Sequence, residues 1–313
     1  MLAILSAAGK LLPARTRRRI KRIGALERLY DRAVVTRNFH RQFGRKPNLK
    51  RPTTFNEKIV CKILYDRRPL LTRIADKVQV RDYVAEKIGA EYLTRLYQTC
   101  RSANEIDWES LPERFAIKAS HGSHMTRLIS NKSQVDRTEI ESQADRWLST
   151  NYYDNFREWC YRDIRPALLI EEMLSDNGKV PPDWKFFTFD GRAKYVSVYF
   201  DRFVELKKNN YDRQLKRLDL RYIFPNARED PVFPENIELM FSLAEKLGKG
   251  LDFVRVDLYN VNGRVVFSEL TNYPQAGLGV FDPPEFDTIF GKEWHCPVHR
   301  RHPKARSAQL ESH

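Results

Sequence analysis

Two runs near the C-terminal end constrain this chain most: Phe253-Val254-Arg255-Val256-Asp257-Leu258-Tyr259 and Val265-Val266-Phe267-Ser268-Glu269-Leu270-Thr271. Both are rich in β-branched and aromatic residues and read as neighbouring strands joined by a Gly-bearing turn. They also carry Arg255, Asp257 and Glu269, and a charge on a buried strand is costly unless paired or bound to a metal. Side-chain alternation decides what these charges can do together. A three-residue loop Val261-Asn262-Gly263 pairs Asn260 with Arg264, setting Arg255 opposite Glu269 and Asp257 opposite Phe267. Arg255, Asp257, Glu269 and Thr271 then share one face. A two-residue Asn262-Gly263 turn puts Asp257 and Glu269 on opposite faces. The first arrangement suits Mg²⁺ and phosphate. The other reading is a surface hairpin with one cross-strand Arg–Glu pair, and these residues alone leave both open.

With 313 residues, 42% hydrophobic and 12% aromatic, the chain is long and apolar enough for two or three subdomains with a sizeable core. Its net charge of +14 first suggests nucleic acid. The distribution argues otherwise. Residues 1–26 hold seven basic residues and no acid, and 300–313 hold four basic residues against Glu311, so the body between is only mildly basic. The arm has no aromatic residue before Tyr30 to stack on a base. Nucleic acid is therefore not the expected partner. An anionic membrane surface met by residues 1–24 is one alternative, a solvated or packed N-terminal helix the other. Cys61, Cys100, Cys160 and Cys296 form no CxxC pair, which fits a reducing compartment. No apolar run reaches membrane-span length, and the apolar start Met1–Leu5 precedes its basic cluster, the reverse of a secretory signal. The expectation is a cytoplasmic protein, with a peripheral position at the inner membrane face as an extension of it.

The organisation expected is a basic arm and helix (1–45), a mainly helical subdomain (46–110), a first α+β subdomain (111–174), a second carrying the charged hairpin (175–295), and a basic tail (296–313). Thr54-Phe55-Asn56-Glu57 reads as a capping box opening a helix. A second helix starts near Asp76, keeps Val80, Val84 and Ile88 on one face and stops at Gly89. Asp76-Lys77 itself reads as a helix start, with a role at the substrate side of a cleft as the alternative. Phe115–Ala119 is a strand carrying Lys118, followed by the loop His121-Gly122-Ser123-His124. Ala167–Ile170 is a buried strand ending at Glu171-Glu172. Asp183–Phe189 and Lys194–Arg202 form a hairpin about Asp190-Gly191, in which Phe189 pairs with Arg192 and Asp183, Lys185 and Arg202 share a face. Glu235–Gly248 is an amphipathic helix with Ile237, Met240, Phe241, Ala244 and Leu247 along one side. His295, Cys296, His299 and His302 have zinc-like spacing, but a solvated basic tail is the favoured reading.

Lysines, arginines and carboxylates lodged singly in apolar strands suit a nucleoside-triphosphate site, with cations on phosphate and acids on Mg²⁺. No GxxxxGK[ST] or GxGxxG is present. From Arg51 to Gly291 the chain resembles the TupA-like ATP-grasp family, named from teichuronopeptide biosynthesis. The resemblance rests on Phe55-Asn56-Glu57-Lys58, Ala75-Asp76-Lys77 with Arg81, Leu111-Pro112, Ile117-Lys118, His121-Gly122-Ser123, Glu171-Glu172, Asp183-Trp184-Lys185-Phe186-Phe187 with Asp190-Gly191, Arg255–Tyr259, and Glu269-Leu270-Thr271, in that order.

The resemblance implies an α+β ATP-grasp fold, two subdomains clamping ATP behind a mainly helical N-terminal region. It implies carboxylate–amine ligation, in which ATP phosphorylates a carboxylate and an amine attacks the acyl phosphate. ATP would then contact Lys118, Gly122, Ser123, Glu171, Glu172, Asp183 and Lys185. Mg²⁺ would sit on Asp257, Glu269 and Thr271, and Arg255 and Arg202 would be the catalytic cations. Substrates would be a small-molecule or polymer carboxylate and an amine donor, in cell-surface polysaccharide, capsule or teichuronopeptide-type polymer synthesis. Two positions depart from the family pattern. Thr271 stands where Asn is usual, with Asn272 one residue on and facing away, and His124 stands where a second Gly is expected. Other readings are a glycosyl or sugar-modifying transferase of the same pathways and a non-catalytic basic surface binder.

Overall fold

The structure, a computed structural model, describes residues 24–175, 180–200 and 206–297. The basic arm before Gly24, Arg202, His299 and His302 lie outside the described residues. Helix α1 (Gly24–Phe43) leads to α2 (Phe55–Tyr65), α3 (Pro69–Ala75) and α4 (Gln79–Lys87). The capping box forms as expected: Thr54 accepts from the Glu57 N–H while Glu57 reaches back to the cap backbone. Helix α4 buries Val80 and Val84, leaves Ile88 half-buried, and ends before Gly89 at φ 116°.

Strand β1 (Leu96–Cys100) follows where only helix and loop were expected. It joins β2 (Phe115–Ala119), β3 (Thr126–Ile129) and, beyond α5 (Arg137–Ser149) and α6 (Tyr153–Phe156), β4 (Leu168–Glu172), in an antiparallel sheet of order β1-β4-β2-β3. The first α+β unit thus takes in chain from before position 111. Strand β1 escaped notice because its exposed and half-buried residues, Leu96–Thr99, give no clean alternation.

A second antiparallel sheet is built from β5 (Asp183–Phe189), β6 (Arg192–Phe200), β7 (Lys207–Asp212) and, after the short β8 (Arg221–Tyr222) and α7 (Ile237–Gly248), β9 (Phe253–Val261) and β10 (Arg264–Thr271). Its order is β10-β9-β5-β6-β7. Helix α7 covers one face with the apolar stripe read from sequence, Phe241 meeting Phe186 edge-on at 4.9 Å. Strand β11 (Phe281–Asp282) pairs with β8, and α8 (Glu285–Lys292) closes the described fold. Phe55 of α2 enters a ring cluster of Phe187, Phe189, Phe253, Phe281, Phe290 and Trp294, with centroids 5.1–6.1 Å away. That cluster anchors the helical region to the second sheet.

The charged hairpin departs from the expected turn. Val261 pairs with Arg264, so the loop is the two-residue Asn262-Gly263, both at positive φ as a type I′ turn requires. Asn260 faces Val265, not Arg264, and Thr271, not Glu269, stands opposite Arg255. A bulge between Phe267 and Glu269 admits Ser268 as an extra residue and resets the alternation. Glu269 thereby lands opposite Asp257 despite the even-length turn. At the other hairpin Phe189 does pair with Arg192 across Asp190-Gly191.

Candidate active site

Register places one polar row across the whole second sheet: Glu269, Asp257, Lys185, Ser197 and Asn210 stand directly opposite one another on five successive strands. The adjoining row is Tyr259, Asp183, Tyr199 and Lys208. Diagonal to Glu269 and Asp257 lie Thr271 and Arg255. The sheet faces its apolar side to α7 and this polar side to the first sheet, whose Lys118 and Glu171 are diagonal neighbours on β2 and β4.

Arg255 organises the acids. Its Nε donates to Asp257 Oδ1 at 2.7 Å, and its Nη2 donates to Asp257 Oδ2 at 2.6 Å, Glu269 Oε1 at 2.9 Å and Thr271 Oγ1 at 2.9 Å. The Thr271 hydroxyl donates to Glu269 Oε1 at 3.1 Å. Lys185 pairs with Asp257 and, at 2.6 Å, with Asp183. Burial pushes the Asp257 carboxyl up to about 6 against the pull of Arg255 and Lys185. At Glu269, about a third exposed, the nearby Lys185, Arg255 and Lys77 outweigh burial and hold the carboxyl well below its usual range.

Lys118 pairs with Glu171, which also accepts from Thr94 Oγ1 at 2.7 Å and meets Arg81 at 3.4 Å. Glu172 is turned outward to Arg264, 3.2 Å away on β10. The Gly122 carbonyl accepts from Lys77 Nζ. A side chain at Gly122 would collide with Tyr152, whose ring carbon would lie 2.6 Å from an added Cβ, so the loop needs Gly here to pack. Ser123 hydrogen-bonds Tyr152. His124 sits at φ 61°, a conformation that Gly adopts without cost. Asn272 points away from the acids, its amide donating to Leu71 O at 2.9 Å, as alternation requires.

Two lysines were undervalued in the sequence. Lys77, read mainly as a helix start, lies within electrostatic reach of Glu269, Lys118 and Glu171. Asp76 does serve that start, accepting from the Val78 N–H at 2.9 Å. Lys208 is fully buried, its Nζ 3.3 Å from the Tyr199 hydroxyl and 4.1 Å from the Tyr222 ring centre. Burial, reinforced by Arg255 and Lys185, drives its amine far below the usual lysine range. The sequence signal was weak: Lys207–Asp212 is a polar run with no strand pattern, yet Lys208, Asn209, Asn210 and Tyr211 are all buried.

Asp257, Glu269 and Thr271 offer hard oxygen donors on one face, the chemistry Mg²⁺ prefers. Among the described residues no group of three or more His, Cys, Asp or Glu side chains is arranged to hold a metal. Two carboxylates completed by phosphate oxygens and water are the usual Mg²⁺ arrangement at nucleotides, and this donor set fits it. Arg255 Nη2 occupies the point where the three donors converge and would have to swing aside.

The TupA-like ATPgrasp family model matches residues 57–295. No curated protein matches the sequence. Solved structures similar to the chain include D-alanine–D-alanine ligase from Bacillus anthracis, at 14% identity and TM-score 0.45 over 72% of this chain and 66% of that one. An ADP complex of N5-carboxyaminoimidazole ribonucleotide synthetase aligns at 10% identity and TM-score 0.43, over 66% and 46%. The ATP-grasp ligase PsnB with a minimal precursor aligns at 10% identity and TM-score 0.38, over 67% and 56%. The chain spans two thirds or less of each.

Proposed function

The chain belongs to the TupA-like ATP-grasp family, and from that premise we propose that it is an ATP- and Mg²⁺-dependent ligase joining a carboxylate to an amine through an acyl phosphate. The observation that carries this reading is the convergence of Lys118 from one sheet, Lys185 and Arg255 from the other, and Lys77 from the helical region around Glu269. Lys77, Lys118 and Lys185 supply charge for the phosphates, with the Gly122-Ser123 backbone closing over them. Glu171 and Glu172, at the end of β4, stand where the two sheets meet and form the nucleoside end; Asp183 completes it. Asp257, Glu269 and Thr271 would hold Mg²⁺, which when bound neutralises charge on the transferred phosphoryl group. Arg255, freed from the acids, is placed to hold the charge of the acyl phosphate. Arg202 has no part in this proposal.

A thermal-shift series tests it. ATP with Mg²⁺ at about 100 times its Kd should stabilise the fold by about 2.7 kcal/mol, and Lys118→Ala or Lys185→Ala should abolish most of that gain. Stabilisation by a nucleotide sugar in place of ATP would overturn the ligase in favour of a transferase.

We place the reaction in cell-surface polymer assembly, on the family's name. No helix among the described residues is long and apolar enough to cross a membrane. Exposed Leu26 and Leu29 on α1, beside Arg28 and Arg32, continue the basic arm and support a tether to an anionic surface. Removing residues 1–23 should reduce cosedimentation with phosphatidylserine vesicles at low salt and leave the ATP-dependent stabilisation intact; unchanged cosedimentation would remove the tether.

A further inference from the structure

On the outer side of α3 a groove of about 680 Å³ opens between that helix, the start of α4 and residues 159–163. That is the size of a small-molecule site and far more than one ion fills. One wall carries a stacked cation. The Arg67 guanidinium lies over the Trp159 ring, 4.0 Å from its centre, and the Arg162 guanidinium lies 4.5 Å from the same centre. Arg67 is half-buried, and its hydrogen bonds go to carbonyl oxygens alone: Nη1 donates to Ile63 O at 2.7 Å and to Asp66 O at 3.1 Å. No carboxylate among the described residues pairs with it, although a guanidinium taken partly out of water gains most from one.

The other charges of the groove are engaged at its rim. Arg73 meets Glu86 at 2.6 Å, Arg162 meets Glu27 at 3.1 Å, and Asp163 lies 3.8 Å from Arg162. Asp163 is 65% exposed and the Arg73–Glu86 pair is open to solvent, so water screens both. Arg73 gives Glu86 only Nη2, which leaves the rest of its donor fork for a second anion. Thr72 and Gln79 add a hydroxyl and an amide to the lining, and Pro69 and Leu70 add an apolar edge. This mixture fits a sugar ring that carries a carboxylate better than a bare phosphate, which has no apolar face. Only α3 separates the groove from the cleft. Leu71 O, on the buried side of the helix, accepts from Asn272, the residue after Thr271, at 2.9 Å. The Lys77 N–H, just beyond the helix, donates to Ser120 O at 3.1 Å beside the phosphate loop. A helix with its side chains is about 10 Å across, so a polymer acting in the cleft reaches the groove within a few units.

We propose that this groove holds an acidic saccharide segment of the acceptor polymer, remote from the reacting carboxylate, with a sugar carboxylate on Arg67 and Arg73 and ring hydroxyls on Thr72 and Gln79. That the segment belongs to the acceptor rests on the ligase reading above; that the groove takes an acidic saccharide does not. The groove does no chemistry. It holds a carboxylate that is never phosphorylated, and the binding energy of that remote unit positions the one that is. The acceptor is then a chain bearing more than one acid.

Saturation-transfer NMR at low salt and without nucleotide tests the groove, with trigalacturonate as the probe and maltotriose as its neutral counterpart. Trigalacturonate should bind the wild-type chain, and maltotriose much more weakly. Arg67→Gln should weaken trigalacturonate about tenfold, the loss expected for a charge-assisted contact. Thr72→Glu, which sets a like charge in the groove, should weaken it as much or more. Neither variant should change stabilisation by ATP and Mg²⁺. No trigalacturonate binding by the wild type, binding left unchanged by both variants, or maltotriose bound equally well would overturn the site. So would tripolyphosphate binding in its place with the same sensitivity to Thr72→Glu, which would assign the groove to a phosphate polymer. If Arg67→Gln fails to fold because Ile63 O loses its donor, Thr72→Glu decides alone. Thermal shift with ATP and Mg²⁺ on the same samples separates the two failures: no response there removes the ligase, while trigalacturonate binding stands or falls by itself.

Discussion

Arg255 is the counter-ion for three oxygen donors at once, and it is nine-tenths buried with Asp257 wholly so. Removing one partner of a buried ion pair leaves the other charge stranded, which costs on the order of 3 kcal/mol. Arg255→Met should therefore lower the melting temperature of the ligand-free chain. Mg²⁺ can take over the stranded carboxylates, so it should raise that temperature more in the variant than in the wild type; equal Mg²⁺ responses in thermal shift would count against Asp257 and Glu269 as its ligands. Glu158 gives a second residue-scale test. Burial pushes its carboxyl up to about 8, from the usual 4.5. The folded chain then holds a proton that the unfolded chain gives up. The associated stability is fully present below pH 4.5 and is lost as pH rises toward 8, at about 1.4 kcal/mol per unit of difference. Melting curves from pH 5 to 8.5 should show the wild type falling relative to Glu158→Gln, which carries no such proton. Parallel curves would mean that Glu158 is solvated.

At the scale of the element, the bulge at Ser268 decides whether the site exists. If Ser268 instead paired with Asp257 in a regular ladder, Glu269 and Thr271 would turn to the α7 face and Leu270, now 4% exposed, would enter the cleft. Deleting Ser268 removes the extra residue and leaves Phe267 opposite Leu258 and Glu269 opposite Asp257 in a regular ladder, so the Mg²⁺-dependent stabilisation by ATP should persist. Loss of the Mg²⁺ effect on deleting Ser268 would show that the pairing of Glu269 with Asp257 depends on the bulge itself. This hairpin also marks how far the sequence could be read. The strands and their charged positions were legible because β-branched and aromatic runs mark themselves, and so were the capped helix at Thr54, the α7 stripe and the Asp190-Gly191 turn. The common face of Asp257 and Glu269 was reached through the wrong turn, because alternation counts residues and nothing in Phe267-Ser268-Glu269 announces a bulge. Strand β7 was hidden for a different reason. Its residues are polar, and they are buried only because they pair across the sheet and with loops, as Ser197 does with Asn210 at 2.5 Å and Asn209 with Glu229 O at 2.9 Å. Local pattern carries no trace of partners so distant in the chain.

Across the whole molecule, the two sheets are already drawn together around the cleft. The cavity between them, lined by Lys77, Arg81, Lys118, Glu171 and Phe267 among others, measures about 20 Å³. That holds little more than one water-sized group. For a nucleotide to occupy that cavity, the first sheet must tilt away from the second, or Lys118 and Arg81 must leave Glu171. One contact spans the gap directly: Arg264 on β10 meets Glu172 on β4 at 3.2 Å, and its other nitrogen approaches Leu93 O at 3.4 Å. Both side chains reach solvent, Arg264 49% and Glu172 29% exposed, so the pair is worth roughly 0–1 kcal/mol to the fold. Its larger consequence is for the opening motion, where the whole of that contact must break before ATP enters. Arg264→Ala should therefore leave the melting temperature nearly unchanged and raise the association rate of ATP a fewfold, about what 0–1 kcal/mol taken off an opening barrier gives. Stopped-flow binding with a fluorescent ATP analogue measures this. The increase should shrink as salt is added, because an exposed pair is screened in the wild type and absent in the variant. An unchanged association rate at low salt would mean that the sheets part along a route that leaves Arg264 and Glu172 together, with the side chains at Glu171 yielding instead.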